Sequence, residues 1–294
     1  MRFMTARQDD GTALYAVQGE QAHKLSGSKA FSGSDLWDAI NGGDAAAKAA
    51  AAAIDAGDGV ALDTLTPALP FNRFGKILCL GLNYVDHVKE GGYDIPTYPA
   101  LFIRFPSSMI AAGEPMVKPF CSDRLDYEAE LMMIIGKGGR HIAEAEALDH
   151  VFGYTLFNDG SVRDYQRKTH QWTPGKNFDK TGALGPVVVT ADELPAGATG
   201  LAIESRLNGK VMQSANTSDM MWSVARTIST VSEVMTLEPG DLIAMGTPPG
   251  VGHARTPPAF MFGGDVIEVE IESIGICRNP IVEEAVPDRS EAAQ

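Results

Sequence analysis

The chain is poor in the features that define several large protein classes. It has 3 cysteines, Cys79, Cys121 and Cys277, far apart and with no CxxC pair. Zinc-finger and thiol-redox motifs are thereby excluded, and a reducing compartment is expected. Basic residues are scarce: 24 Lys and Arg stand against 38 Asp and Glu, a formal charge of −14. No basic stripe is present, so neither nucleic-acid binding nor an anchor on an anionic membrane is expected. No run of about 18 apolar residues occurs, so no membrane-spanning helix is expected. The opening residues, MRFMTARQDDG, turn acidic before an apolar signal-peptide core can form, so the expected location is cytoplasmic. There is no GxSxG elbow, and the Gly/Pro-rich stretch Met245 to Gly252 lacks the Lys-Ser/Thr ending of a phosphate loop. Serine-hydrolase and P-loop readings therefore have no support.

What is present is a globular composition, with 44% hydrophobic and 21% charged residues, which excludes wholesale disorder. The length, 294 residues, fits two ordinary domains or one large domain with a small partner. Residues 1–70 read as a small N-terminal α/β accessory domain. Met1 to Thr5 and Ala13 to Val17 form a hairpin across RQDDG. A helix opens at Ser34-Asp35, Gly42-Gly43 splits it from the Ala-rich run Ala45 to Ala56, and Pro67 and Pro70 mark the boundary. From 71 to 287 the texture is strand-rich. Short apolar or alternating runs lie at 76–80, 100–104, 126–135, 154–157, 187–190, 201–207, 241–245 and 265–272. Helical patterns are confined to 143–151, 161–171 and 222–235. Strands do not alternate regularly with helices, which points to an α+β class over a doubly wound one. Residues 288–294 read as a frayed tail.

The constellations that carry chemistry are acidic. Glu128-Ala-Glu130 on a strand places two carboxylates on one face, just before the apolar run Leu131 to Ile135. Like charges in a half-buried place need protons or a cation; the alternative is a solvated strand edge, the reading given to Glu268, Glu270 and Glu272. Asp159 ends the apolar strand Tyr154 to Phe157, where it either caps a helix or adds a third carboxylate. An oxygen-only set with no nearby Cys or His favours Mg²⁺ or Mn²⁺ over zinc. His87 and Glu90, i and i+3 on a helical turn, form either a surface pair or a carboxylate-oriented imidazole able to act as a general base. Gly91-Gly92 would let that segment move as a lid. Lys176, in the irregular loop Trp172 to Phe178, either meets an oxyanion or is an ordinary surface lysine. The Met245 to Gly252 loop, with Thr247, offers amides for a carboxylate or is simply a tight connection.

In order, Gly81-Leu-Asn-Tyr84, His87, Glu90, Tyr127-Glu128-Ala-Glu130, Asn158-Asp159, Arg163-Asp164, Lys176-Asn-Phe178, Leu207-Asn-Gly209 and Gly246-Thr247-Pro-Pro-Gly250 resemble the fumarylacetoacetate hydrolase family over roughly residues 74–280. The resemblance implies a mixed β-sandwich roll, a divalent metal and a homodimer. It implies that Glu128, Glu130 and Asp159 hold Mg²⁺ or Mn²⁺. His87 and Glu90 match the water-activating pair, and Lys176 an oxyanion and substrate contact. Tyr84, Arg104, Arg163 and Thr247 fall at substrate-binding positions. Leu82 stands where many members carry Arg, and Arg104 near where others carry Lys, so the departures touch substrate identity. The implied substrate is a small oxo acid. The main expectation is a metal-dependent hydrolase that cleaves a C–C bond of an acylpyruvate or other 2,4-dioxo acid, releasing pyruvate. The alternatives are a decarboxylase of oxaloacetate-type acids or an isomerase of 2-hydroxy-diene-dioates on the same site. A further alternative is a ligand-binding protein of this fold without turnover.

Overall fold

A computed structural model of the chain describes residues 1–92 and 94–285. The expected frayed tail, 288–294, lies outside the described residues. The organising strand is Ala129–Ile135, buried at every position. Its side chains alternate between two cores. Leu131, Met133 and Ile135 belong to one, and Met132 and Ile134 to the other, as the two-residue period of a strand requires. This is why the run Leu131 to Ile135 is apolar throughout instead of alternating.

Ala129–Ile135 pairs antiparallel with Val151–Asp159 on one side and with Leu242–Ala244 on the other. Beyond Leu242–Ala244 the sheet continues to Ile77–Gly81, in parallel, and to Ala100–Ile103. Beyond Val151–Asp159 it continues to Val187–Thr190 and then to Arg2–Gln8, Gly11–Gln18, Gln21–Lys24 and Gly59–Ala61. The N-terminal strands thus extend the main sheet through the Phe3↔Val188 register. Helices Leu36–Gly42 and Asp44–Ala56, separated at Gly43, cover one face with Leu36, Ile40, Ala46 and Ala50. Against the other face packs a five-stranded sheet ordered Lys210–Asn216, Ala202–Leu207, Val266–Ile271, Gly275–Glu283, Met116–Lys118. Ile203, Ile267, Val269 and Cys277 meet Leu131 and Met133 between the sheets. The fold is the expected strand-rich α+β sandwich. Among the described residues, no helix is long and apolar enough to cross a membrane.

Three local expectations change. The helix read over 161–171 is only Arg163–Gln166, because Ser161–Val162 pairs as a short ladder with Leu125–Asp126. The 143–151 helix is a 3-10 segment, Glu144–His150. The strand read from 126 is interrupted at Tyr127-Glu128, between Leu125–Asp126 and Ala129–Ile135. The acidic face of Val266–Ile271 is tied across the sheet. Arg206 binds Glu204, Glu268 and Glu270 at 2.5, 3.2 and 2.6 Å.

Gly160, directly after Asp159, is a position where only hydrogen fits. A Cβ there would run into the Thr181 carbonyl oxygen and the Met116 methyl. Gly160→Ala is expected to destabilise the fold by about 1–3 kcal/mol, the usual range for overpacking against a fixed neighbour. Urea unfolding of the two proteins checks this.

Candidate active site

The antiparallel register of the two central strands assembles the acidic cluster. Ala129 lies opposite Asn158 and Glu130 opposite Phe157, and the Asp159 N–H donates to the Glu128 carbonyl at 2.9 Å. Glu128 and Glu130 project to one face, and Asp159 enters beside them from the neighbouring strand. One carboxylate oxygen of each lies within 4.8 Å of the others, and all three residues are buried.

Such a cluster folds only with compensating charge. Lys176 Nζ donates to Glu128 Oε2 and to Asp159 Oδ2, both at 2.6 Å. Arg163 Nη2 lies 2.7 Å from Glu128 Oε1, close enough for ion pairing but not aligned as a hydrogen bond. Arg104 Nη1 donates to Asp159 Oδ1 at 2.5 Å. Burial pushes the Glu128 carboxyl up, but Lys176, Arg163 and His87 outweigh it and hold the group far below the usual carboxylate range. Among the described residues Glu130 has no such partner, and its one hydrogen bond comes from the Gly246 N–H at 3.0 Å. Burial, then the charges of Asp159 and Glu128, push its carboxyl well above the ordinary range. Three hard oxygen donors, one of them lacking a cation, fit a divalent ion such as Mg²⁺ or Mn²⁺.

His87 sits on the short helix Val85–Glu90, with Nδ1 3.4 Å from Glu90 Oε2. Glu90 is itself held by the Gly250 N–H at 2.9 and 3.1 Å. His87, Glu128, Glu130, Arg163, Lys176 and Thr247 line one cavity, with Leu80, Phe102 and Trp172 as its apolar wall. The sequence-derived catalytic and metal residues are therefore brought together.

The four expected substrate contacts are placed differently. Arg104 does not line the cavity. Its three nitrogens are spent on Ser108, Asp159, Gly160 and Thr181, so it holds Asp159 from behind. Arg163 does line it, but Nε goes to Asp126 at 2.8 Å and Nη1 to Gln166 at 2.9 Å. Thr247 donates its hydroxyl proton to Ala129 O and accepts from Gln213. Tyr84 is buried beneath the site, its hydroxyl without a hydrogen-bond partner among the described residues.

The Met245 to Gly252 loop, open in sequence between a carboxylate nest and a tight connection, spends three of its amides on the protein's own acids. Gly246 binds Glu130, Gly250 binds Glu90, and Gly252 binds Asp126 at 2.7 Å. Gly252 must lack a Cβ, which would strike Ala259 O and the Asp126 carboxylate. Asp126 and His253 were not singled out from the sequence. Asp126 is two residues before Glu128, and His253 directly follows the glycine-rich stretch; those positions were the available signals.

These features define an enzyme-like site on a sandwich fold, with a buried carboxylate triad able to hold a divalent ion, an imidazole–carboxylate pair and a lysine around one cavity. The model of the fumarylacetoacetate (FAA) hydrolase C-terminal domain matches residues 76–282, and the chain belongs to that family. The oxaloacetate tautomerase fahd2, mitochondrial, of Xenopus laevis is 40% identical over 243 residues, 82% of this chain and 76% of that protein. The fumarylacetoacetate hydrolase of Exiguobacterium antarcticum superposes with a TM-score of 0.84 at 32% identity, over 97% of this chain and all of that one. The maleylpyruvate hydrolase of Sphingobium sp. SYK-6 gives 0.80 at 30% identity, with the same coverage.

Two predictions follow from the charges. Glu130 is an acid with a raised folded-state value, so its burial costs stability as pH rises through its ordinary 4.5. Glu130→Gln should raise the melting temperature of the metal-free protein at pH 7 by about 2–4 °C, the effect of ~1 kcal/mol. The same change should remove the thermal shift that Mg²⁺ or Mn²⁺ gives the wild type. Asp126 has the opposite sign. Burial raises its carboxyl, but Arg163 and His253 outweigh it and hold it below its ordinary 3.8. Its contribution is complete above that value and lost as pH falls below it. Asp126→Asn should cost about 3–5 kcal/mol at pH 7, as for a broken buried pair, with the gap to wild type closing in urea titrations run at progressively lower pH.

Proposed function

We propose that this enzyme moves a proton between oxygen and carbon of an oxaloacetate-type 2-oxo dicarboxylic acid, interconverting its enol and keto forms. The observation that carries this reading is the 40% identity to an oxaloacetate tautomerase over 82% of the chain. The cavity offers the groups such a reaction needs. When bound at Glu128, Glu130 and Asp159, Mg²⁺ or Mn²⁺ would polarise the 2-oxo group and favour enolate character.

The chain's own residues do the rest. His87, oriented through Nδ1 by Glu90, presents its other ring nitrogen for proton transfer. Lys176 uses two of its three N–H bonds on Glu128 and Asp159, which leaves the third for a substrate oxygen as charge develops there. Leu80, Phe102 and Trp172 keep water from one side of the cavity, strengthening these interactions. Loss of carbon dioxide from the same acid would pass through the same enolate. Hydrolysis of an acylpyruvate is the second reading, favoured by the likeness to maleylpyruvate hydrolase; there His87 would activate water.

The test follows the enol form of oxaloacetate by its ultraviolet absorbance in Mg²⁺ buffer, beside pyruvate release from an acylpyruvate. Catalysed enol decay above the buffer rate is expected, with kcat reduced about 10²- to 10⁴-fold in His87→Asn, the usual share of a positioned acid–base group. Pyruvate release without enol decay would move the assignment to hydrolysis, and an unimpaired His87→Asn would remove the base.

A further inference from the structure

We infer that His253 is a second proton-carrying residue of this cavity, paired with Asp126 as His87 is paired with Glu90; the inference rests on the proton-transfer reading above. His253 lines the same cavity as His87, Glu130 and Lys176. Its ring is anchored on one side only. Nδ1 lies 3.3 Å from Asp126 Oδ2, and the residue's own backbone N–H donates to that oxygen at 2.9 Å.

Asp126 is surrounded by donors. Oδ1 accepts from the amides of Tyr127 and Gly252 at 2.9 and 2.7 Å, and Oδ2 also accepts from Arg163 Nε at 2.8 Å. A carboxylate so enclosed acts as an acceptor, so the ring nitrogen facing it carries the hydrogen. Nε2 then holds the lone pair, and it has no hydrogen-bond partner among the described residues. The Gly252–Ala254 turn fixes the backbone on which the ring stands. An imidazole with one nitrogen locked on a carboxylate and the other unengaged at a cavity is the arrangement of a general base.

The chemistry has room for two such groups. In the enol-to-keto direction a base takes the proton from the 2-hydroxyl, and the O–H pair becomes the second bond of the carbonyl. The C2=C3 pair forms a new C–H bond with a proton given by an acid. One proton leaves oxygen and one reaches carbon, so no oxidant, reductant or co-reactant is required. The two imidazoles end with their protonation exchanged and reset through solvent. Each imidazole serves one of the two atoms.

The half-reactions separate experimentally. Exchange of the C3 hydrogens of the keto acid with D₂O needs the carbon-side group alone, whereas interconversion of the tautomers needs both. With Mg²⁺ present, exchange is read by NMR and interconversion by enol absorbance, in wild type, His87→Asn, His253→Asn and His253→Gln. Melting temperatures identify folded variants. We expect interconversion to fall about 10²-fold or more in every variant. Exchange should stay within twofold of wild type in the variant, or variants, of the oxygen-side residue alone. Loss of both readouts at one position, with exchange kept at the other, marks the carbon-side residue. Normal interconversion in both folded His253 variants would overturn the inference and leave the proton-transfer reading standing, as would loss of both half-reactions at both positions. A wild type that shows neither reaction would refute that reading and this inference with it.

Discussion

The structure turns on the mutual repulsion of three buried carboxylates. At 4.8 Å and an effective dielectric of about 20, each like-charged pair costs roughly 3 kcal/mol. No hydrophobic packing around them removes that cost. It is met by Lys176 between Glu128 and Asp159, Arg163 beside Glu128, and Arg104 behind Asp159. Each comes from a different stretch of chain, so the charge balance also fixes how the loop around Lys176, the turn at Arg163 and the end of Ala100–Ile103 approach the central strands. Glu130 stands outside this balance, with a backbone amide as its one hydrogen-bond donor among the described residues. A hard divalent cation held by the triad would correct that imbalance.

A consequence is that the enzyme's buried cations are largely committed to its own acids. In a chain of net charge −14, an anionic substrate meets little free positive charge. What the cavity offers is the third N–H of Lys176, the nearby Arg167 and Gln166, and whatever ion the triad holds.

Much of this was legible in the sequence because it is local. The period of two places Glu128 and Glu130 on one face, and i, i+3 spacing pairs His87 with Glu90. The long apolar run marks the strand buried on both sides. What was not legible depends on register. Nothing in the residues near Asp159 states that it lies beside Glu128; the Ala129↔Asn158 pairing does. The resemblance places Arg104 at a substrate-binding position, and its sequence neighbours cannot show that Asp159, Thr181 and Ser108 enclose it. The short helix at Arg163–Gln166 was overread because Ser161-Val162 was drawn into a ladder with Leu125-Asp126, a tertiary choice that overrides local propensity. The glycine-rich loop stays open between a carboxylate nest and a tight connection because sequence does not show which of the protein's own acids lie opposite its amides.

That loop divides its labour between backbone and side chains. Main-chain N–H groups of Gly246, Gly250 and Gly252 tether Glu130, Glu90 and Asp126, and main-chain groups are the same whatever residue follows. Thr247 on this loop, and His253 just after it, line the cavity. Thr247 also ties its hydroxyl to Ala129 and Gln213, so the segment that tethers the acids also shapes the cavity wall, and a change in one is transmitted to the other.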